Sequence, residues 1–162
     1  MRILQLSDFH ILSEATARLR GVPTADCLRD VLEVVQSDFA DAELFVMTGD
    51  LAAYGEAGSY DLVGELCAEV LSRAVMLPGN HDEPELLRQV FPQCVAAESA
   101  ELTFVRNIGD WRLIGLNSHV PDEVGGELSE RQLAALRCEL TEESPRPTLV
   151  FVHHPPVSVQ SA

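Results

Sequence analysis

Positive charge is what this sequence has least of. Its 162 residues carry 11 Lys and Arg against 26 Asp and Glu, a formal net charge of −15. Binding along a nucleic-acid polymer needs clustered cations to neutralise phosphates, so that class of partner is set aside. Long apolar runs are missing too. No stretch approaches the length of a membrane span. The opening MRILQLSD also lacks the basic segment and apolar run of a secretory leader. No membrane association is therefore expected. No CxxC pair occurs; Cys27, Cys67, Cys94 and Cys138 are scattered, three of them in helix-like segments with apolar neighbours. They read as buried free thiols in a reducing cytoplasm. Internal repeats, low-complexity tracts and linkers are absent, which suggests one domain or most of one.

Apolar residues make up 46% of the chain, enough to build a core. Three short apolar runs end in polar residues. Arg2 to Leu6 leads into Ser7-Asp8-Phe9-His10, Leu44 to Met47 into Thr48-Gly49-Asp50, and Ala74 to Leu77 into Pro78-Gly79-Asn80-His81-Asp82. Runs this short and apolar suit buried parallel strands. Between them, Leu28, Val31, Leu32 and Val35 repeat at helical spacing behind a start signal at Pro23 and Thr24, and Leu62, Val63, Leu66 and Val70 form a second stripe. Alternation of this kind predicts an α/β fold with a parallel sheet.

The second half changes style. Leu102 to Val105 and Trp111 to Ile114 flank Gly109-Asp110, a two-residue hairpin signal. Ser129-Glu130-Arg131-Gln132 forms a capping box, with Leu128 and Leu133 placed as its hydrophobic staple. Leu133, Leu136 and Leu140 would continue that helix's buried face. Pro145 and Pro147 break the chain before a last strand, Thr148 to Val152, which ends in His153-His154-Pro155-Pro156.

Open α/β sheets bind ligands at the carboxyl ends of their strands. Four strand ends here carry Asp-x-His, Gly-Asp, Gly-Asn-His-Asp and His-His-Pro-Pro. Each alone is weak, since Gly-Asp is common at turns and Asp-x-His can open a helix. Four at one rim are hard to ascribe to turn chemistry. The residue types suit divalent metals. Asp8 and His10, two apart, face the same way if the segment is extended. Asp50 has two oxygens and could bridge two ions, Asn80 offers a neutral oxygen, and His153 a nitrogen. Mixed oxygen and imidazole donors favour Mn, Fe, Zn or Co. Two such ions roughly 3.5–4 Å apart can activate water and clamp a phosphoryl group.

These motifs, in this order from residue 1 to about 157, resemble the calcineurin-like metallophosphoesterase superfamily. The stretch from Gly126, Gly-Glu-Leu-Ser-Glu-Arg-Gln-Leu, is similar to its bacterial cyclic-nucleotide phosphodiesterase and glycerophosphodiesterase branch. The resemblance implies a four-layer α/β/β/α sandwich and two divalent ions. Asp8 and His10 would bind the first ion, Asp50 would bridge, and Asn80 and His153 would bind the second. His81 would stabilise the substrate phosphate or protonate the leaving oxygen, and Asp82 would orient His81 by a hydrogen bond. The implied activity is hydrolysis of a phosphodiester in a small soluble substrate, with a phosphomonoesterase or a catalytically impaired metal-binding module as alternatives.

The superfamily carries one more motif, Gly-His-x-His, whose two histidines complete the metal shells. This sequence contains none. The expectation is that residues 1–162 form a single metallophosphoesterase domain lacking its C-terminal part, with an apolar surface near Leu149 to Val152 that invites homo-oligomers. His154 could order its neighbour through the Pro-Pro turn. His119 could reach the pocket but reads better as an exposed loop residue. Glu14, Arg18 and Arg20, in the loop after the first motif, read better as solvated than as substrate contacts.

Overall fold

A computed structural model of the chain describes residues 1–95, 103–141 and 146–157. Its first half is built on three parallel strands, β1 (Ile3–Leu6), β2 (Leu44–Met47) and β3 (Ala74–Met76), in the order β1-β2-β3. Helix α1 (Thr24–Asp38) connects β1 to β2, and α2 (Ala57–Leu66) with a 3-10 turn at Leu71–Arg73 connects β2 to β3. The short α3 (Pro84–Val90) follows the third strand. All four residues of β2 are buried. Phe45 and Met47 pack with the helices, while Leu44 and Val46 pack on the opposite face with Val75 and Leu113. A strand covered on both sides has no use for a polar alternation, which is why Leu-Phe-Val-Met is continuously apolar.

The second sheet has the order β4-β5-β6, from β4 (Phe104–Ile108), β5 (Trp111–Gly115) and β6 (Thr148–Phe151). Strands β4 and β5 form the expected hairpin, closed at Ile108↔Trp111 with Gly109 in the left-handed region at φ 56°. β6 pairs parallel to β5. Leu113 of β5 sits in the cluster with Leu44, Val46 and Val75, joined by Ile3, Phe104, Ile108 and Phe151, so the two sheets face each other across an apolar interior. Arg112, its neighbour on β5, therefore points the other way. It meets Glu139 of α4 (Glu130–Leu140) at 3.3 Å, which puts that helix on the outer face of the second sheet. The layers are helices, sheet, sheet and helix, the α/β arrangement that the motifs implied.

Several details differ from the sequence reading. The buried stripe of α1 is Ala25, Leu28, Leu32 and Val35, while Val31 is exposed. On α4 only Gln132 is buried; Leu133 and Leu136 are half-covered and Leu140 is exposed. The Ser129 cap forms, its hydroxyl accepting from Gln132 N–H at 3.1 Å. The Gln132 side chain is not spent on the box. It accepts from Asn117 N–H and donates to Asn117 C=O, each at 2.8 Å. Only two of the four thiols, Cys67 and Cys94, are buried; Cys27 and Cys138 lie on the outer faces of their helices. Leu102 and Pro145 lie outside the described residues. Among the described residues no helix is long and apolar enough to cross a membrane. Leu149 and Val150 of β6 are 38% and 44% exposed, the apolar surface expected there.

Burial pushes the Cys67 thiol up to about 12 and the Cys94 thiol up to about 11. Both should be inert, since the thiolate is the reactive form. Titration with an aromatic disulfide at pH 8 should find two fast thiols in the native protein, and four after unfolding. Four fast native thiols would contradict the packing of α2 against α3.

Candidate metal centre

The four motif-bearing segments are drawn together by backbone contacts. Asp8 N–H donates to Gly49 C=O at 3.0 Å, and His10 N–H to Asp50 C=O at 2.9 Å. A Cβ on Gly49 would overlap the backbone of Gly79, and one on Gly79 would overlap the Asp50 carboxylate. Glycine at both places lets the loops after β2 and β3 touch main chain to main chain. Gly49 also needs its φ of +97°. Asp8, His10 and Asp50 adopt left-handed φ of 61°, 47° and 53°. Such values are unfavourable for side-chain-bearing residues and persist only where surroundings over-determine them. The Asp8-x-His10 segment is thus not extended as its spacing suggested. Its two side chains converge all the same, His10 Nε2 lying 3.8 Å from Asp8 Oδ1.

Asp50 is the hub. Its carboxylate is buried, with Oδ2 3.5 Å from His10 Nε2 and Oδ1 3.5 Å from His153 Nε2. Oδ1 also accepts from His81 N–H at 2.9 Å. His153 Nδ1 lies 2.7 Å from Thr48 C=O. A carbonyl can only accept, so Nδ1 carries the proton, and the neutral tautomer with that proton turns the lone pair of Nε2 inward. That lone pair faces Asp50 Oδ1 and, at 3.4 Å, Asn80 Oδ1. Acceptors converging on acceptors repel one another unless a cation stands between them. Among the described residues two groups have ligand atoms all within 4.8 Å of one another: His10, Asp50 and His81, and Asp8, Asp50 and His153, with Asp50 common to both. His10 Nδ1 is buried without a hydrogen-bond partner. These residues fit divalent cations held by oxygen and imidazole nitrogen.

His81 lies edge-on to His10, ring centroids 4.9 Å apart, and its Nδ1 donates to Ala53 C=O at 2.7 Å. The expected Asp82–His81 hydrogen bond is therefore corrected: a main-chain carbonyl orients the ring. Asp82 is instead buried among donors. Oδ1 accepts from Leu51 N–H and Ala52 N–H, each at 3.0 Å, and from the Tyr60 hydroxyl at 3.2 Å. Oδ2 accepts from Gly79 N–H at 2.9 Å. Burial raises the pKa of this carboxyl, and the backbone N–H groups oppose that rise.

His154 packs edge-on to His153 at 4.8 Å and is held by Ser118 Oγ at 2.7 Å and Val124 C=O at 3.1 Å. Desolvation lowers its pKa. A Cβ on Gly126 would overlap this ring, so the glycine that opens the branch-like stretch serves close packing on His154. His119 is half-buried and lines a cavity of about 500 Å³ with Asn80, His81 and Glu83, so it belongs to the site's surroundings and not to an open loop. Arg20 lines a second cavity of about 490 Å³ with Asp8, His10 and His81. Arg18 instead donates to Gly21 C=O. Sequence reasoning overlooked Tyr60, Ser118 and Tyr54, because a lone hydroxyl or phenol carries no motif.

The sequence profile of calcineurin-like phosphoesterases matches residues 1–161. The cyclic AMP phosphodiesterase CpdA of Pseudomonas aeruginosa is 34% identical over 160 residues, covering 98% of this chain and 57% of that protein. A 3',5'-cyclic-nucleotide phosphodiesterase of Nostoc sp. is 34% identical, covering 99% of this chain and 59% of its own length. A cAMP/cGMP dual specificity phosphodiesterase of Mycobacterium tuberculosis is 33% identical, covering 96% and 50%. The chain thus spans roughly half to three-fifths of the length of these curated relatives.

The Tyr60 hydroxyl both donates to Asp82 and accepts from Glu83 N–H at 2.6 Å. Tyr60→Phe leaves that N–H unpaired and strips one donor from a buried carboxylate. The expected loss is about 1–3 kcal/mol of stability, read as a lower midpoint in thermal or urea unfolding. An unchanged midpoint would show that Tyr60 does not tie the two loops.

Proposed function

This chain belongs to the calcineurin-like phosphoesterase family, and from that premise we propose that it hydrolyses a phosphodiester in a small soluble substrate, of the cyclic-nucleotide or glycerophosphodiester type. The observation that carries the reading is Asp50, one buried carboxylate whose two oxygens face imidazole nitrogens on opposite sides. Asp8 and His10 would hold one ion and Asn80 and His153 the other, with Asp50 between them. Bound Mn, Fe, Zn or Co ions supply Lewis acidity at the phosphoryl oxygens and a nucleophile at neutral pH.

The protein's own groups divide the remaining work. His81 is fixed through Nδ1 on Ala53 C=O. Its Nε2 is the atom free to hydrogen-bond a phosphate oxygen, or as imidazolium to give a proton to the leaving alkoxide. Asp82 acts one step back, holding the loops that carry Asp50 and His81. The Thr48 carbonyl keeps His153 in its inward-facing tautomer. Four free cysteines support a cytoplasmic location, and the exposed Leu149 and Val150 support self-association.

With added Mn, the intact protein should turn over bis(p-nitrophenyl) phosphate in preference to p-nitrophenyl phosphate. A strong preference for the monoester would replace the reading with a phosphomonoesterase. Asp50→Asn should abolish turnover; activity surviving that change would point to a non-catalytic metal-binding module. His81→Ala should lower kcat by about 10²–10⁴-fold with metal content nearly intact. Collapse of the metal content would make His81 a ligand.

No Gly-His-x-His occurs in these 162 residues. Five donors leave open positions on two ions, and fixed imidazoles do much to retain late first-row metals. The 162-residue chain by itself should therefore bind Mn weakly in calorimetric titration and associate in light scattering. Tight uptake of two ions by a monomer would overturn this.

A further inference from the structure

We propose that Arg20 and Tyr54 recognise a nucleobase on the substrate, which makes them specificity-determining residues of this site. The inference rests on the phosphodiesterase reading and commits it to nucleotides. Its basis is the cavity of about 490 Å³ in which three of the residues just placed in the mechanism, Asp8, His10 and His81, adjoin an apolar wall of Leu19, Val22 and Tyr54. That volume lies within the range of small-molecule sites. A phosphodiester whose phosphorus sits among the metal-ligand residues can place its other end against this wall, and Tyr54 borders the neighbouring cavity of about 500 Å³ as well. A polyol gains little there, whereas a flat heterocycle can lay a face on it.

Tyr54 is presented rather than merely exposed. The residue is 64% exposed, yet the backbone around it is fixed on both sides. Ala52 N–H donates to Asp82, Ala53 N–H to Ile11 C=O, and Ala53 C=O accepts from His81. Gly55 follows at φ +64°, close against Glu83. The backbone of Tyr54 is thereby held directly after Ala53, whose carbonyl orients His81. Single exposed aromatics are ordinary; one anchored on the wall of the reactive cavity offers a stacking platform at little entropic cost.

Arg20 breaks a local rule. Leu19 and Val22 exchange backbone hydrogen bonds of 2.9 Å in both directions, closing a two-residue turn on Arg20 and Gly21. Their φ values of 49° and 88° make it a type I′ turn, whose first central position favours Asn, Asp or Gly. An arginine there holds a disfavoured backbone conformation with no local compensation, and such an outlier beside a reactive site points to function. The chain contains no lysine. Arg18 spends its guanidinium on Gly21 C=O, whereas that of Arg20 makes no hydrogen bond or ion pair among the described residues. Its planar donors suit a base edge with paired acceptors, such as N7 and O6 of guanine, which a lysine would match only as a point charge.

The test uses the intact, Mn-loaded protein and the ratio of kcat/KM for cyclic GMP to that for glycerophosphoglycerol, a diester of equal charge without a ring. Tyr54→Ala should lower the ratio about 5- to 150-fold, the range for one base–aromatic stack. Tyr54→Phe should stay within about 3-fold of the parent. Arg20→Ala should also lower the ratio, and Arg20→Lys should not restore it. In a parallel binding measurement, emission of 2-aminopurine riboside cyclic phosphate should be quenched by the parent and by Tyr54→Phe, and much less by Tyr54→Ala. Equal losses on both diesters with Arg20→Ala would overturn the assignment, making Arg20 a phosphate contact. An unchanged ratio and unchanged quenching in both alanine variants would overturn it while bis(p-nitrophenyl) phosphate turnover leaves the phosphodiesterase reading standing. Absence of all diester turnover would instead sink that reading, with the quenching still deciding whether a base is held.

Discussion

The site hangs on one buried carboxylate that ties two loops together. Asp82 accepts main-chain hydrogen bonds from Leu51 and Ala52 in the loop after β2 and from Gly79 in the loop after β3, and the Tyr60 hydroxyl completes its shell. A charge out of water is tolerable only when its lone pairs are satisfied, so these partners cannot drift independently. Burial pushes the Asp82 carboxyl toward protonation and the N–H groups push it back. Every contacting group is a donor in this arrangement, which only an ionised or fully hydrogen-bonded acceptor matches. The consequence is positional. Asp50 precedes Leu51, and Asn80 and His81 follow Gly79, so the anchor sets the spacing of three functional side chains at once.

The other half of the site comes from the far side of the molecule. His153 follows β6, a strand of the second sheet, yet its ring reaches Thr48 at the end of β2 in the first. That reach depends on the apolar interface of Leu44, Val46 and Val75 against Leu113. Burial there stabilises the contact between sheets without directing it, since dispersion and hydrophobic forces have no preferred orientation. Direction comes from the strand ends: the Thr48 carbonyl selects the tautomer and aims Nε2 at Asp50 and Asn80. Packing sets the distance between the two sheets, and hydrogen bonds set the angle of the ring.

What could be read in the sequence was what is local or periodic. The apolar run of β2, the Gly109-Asp110 hairpin and the Ser129 cap each follow from residues a few positions apart, and the structure contains all three. The strand-end motifs were legible because metal-binding residue types cluster there. What escaped depends on contacts distant in sequence. The spacing of Asp8 and His10 suggested an extended segment, but bonds to Gly49 and Asp50 bend it into the left-handed region. Asp82 adjoins His81 in sequence and suggested a pair, whereas Ala53, 28 positions earlier, orients the ring. Cys27 and Cys138 have apolar neighbours but sit on the outer faces of α1 and α4, because helical facing follows packing and not composition. Gln132 fits a capping box, yet the unpaired backbone of Asn117 competes for its amide and wins.

Charge sets a last constraint on how such a site can work. A chain of formal charge −15 repels an anionic diester in bulk solution. The carboxylates of Asp8 and Asp50 add to that repulsion at the centre, so the fixed groups there cannot attract a phosphate by themselves. Cations held there would invert the local field over a few ångströms and leave the surrounding surface acidic. Attraction is thereby confined to the centre, and screening by salt falls on the surface repulsion more than on the buried site. Within that frame guanidinium groups are few, and Arg20 is the one on the wall of the cavity that Asp8, His10 and His81 share, among its described lining residues. The acidic surface discourages anionic polymers, which must touch it along their length, whereas a small diester, the proposed substrate, would need only the centre.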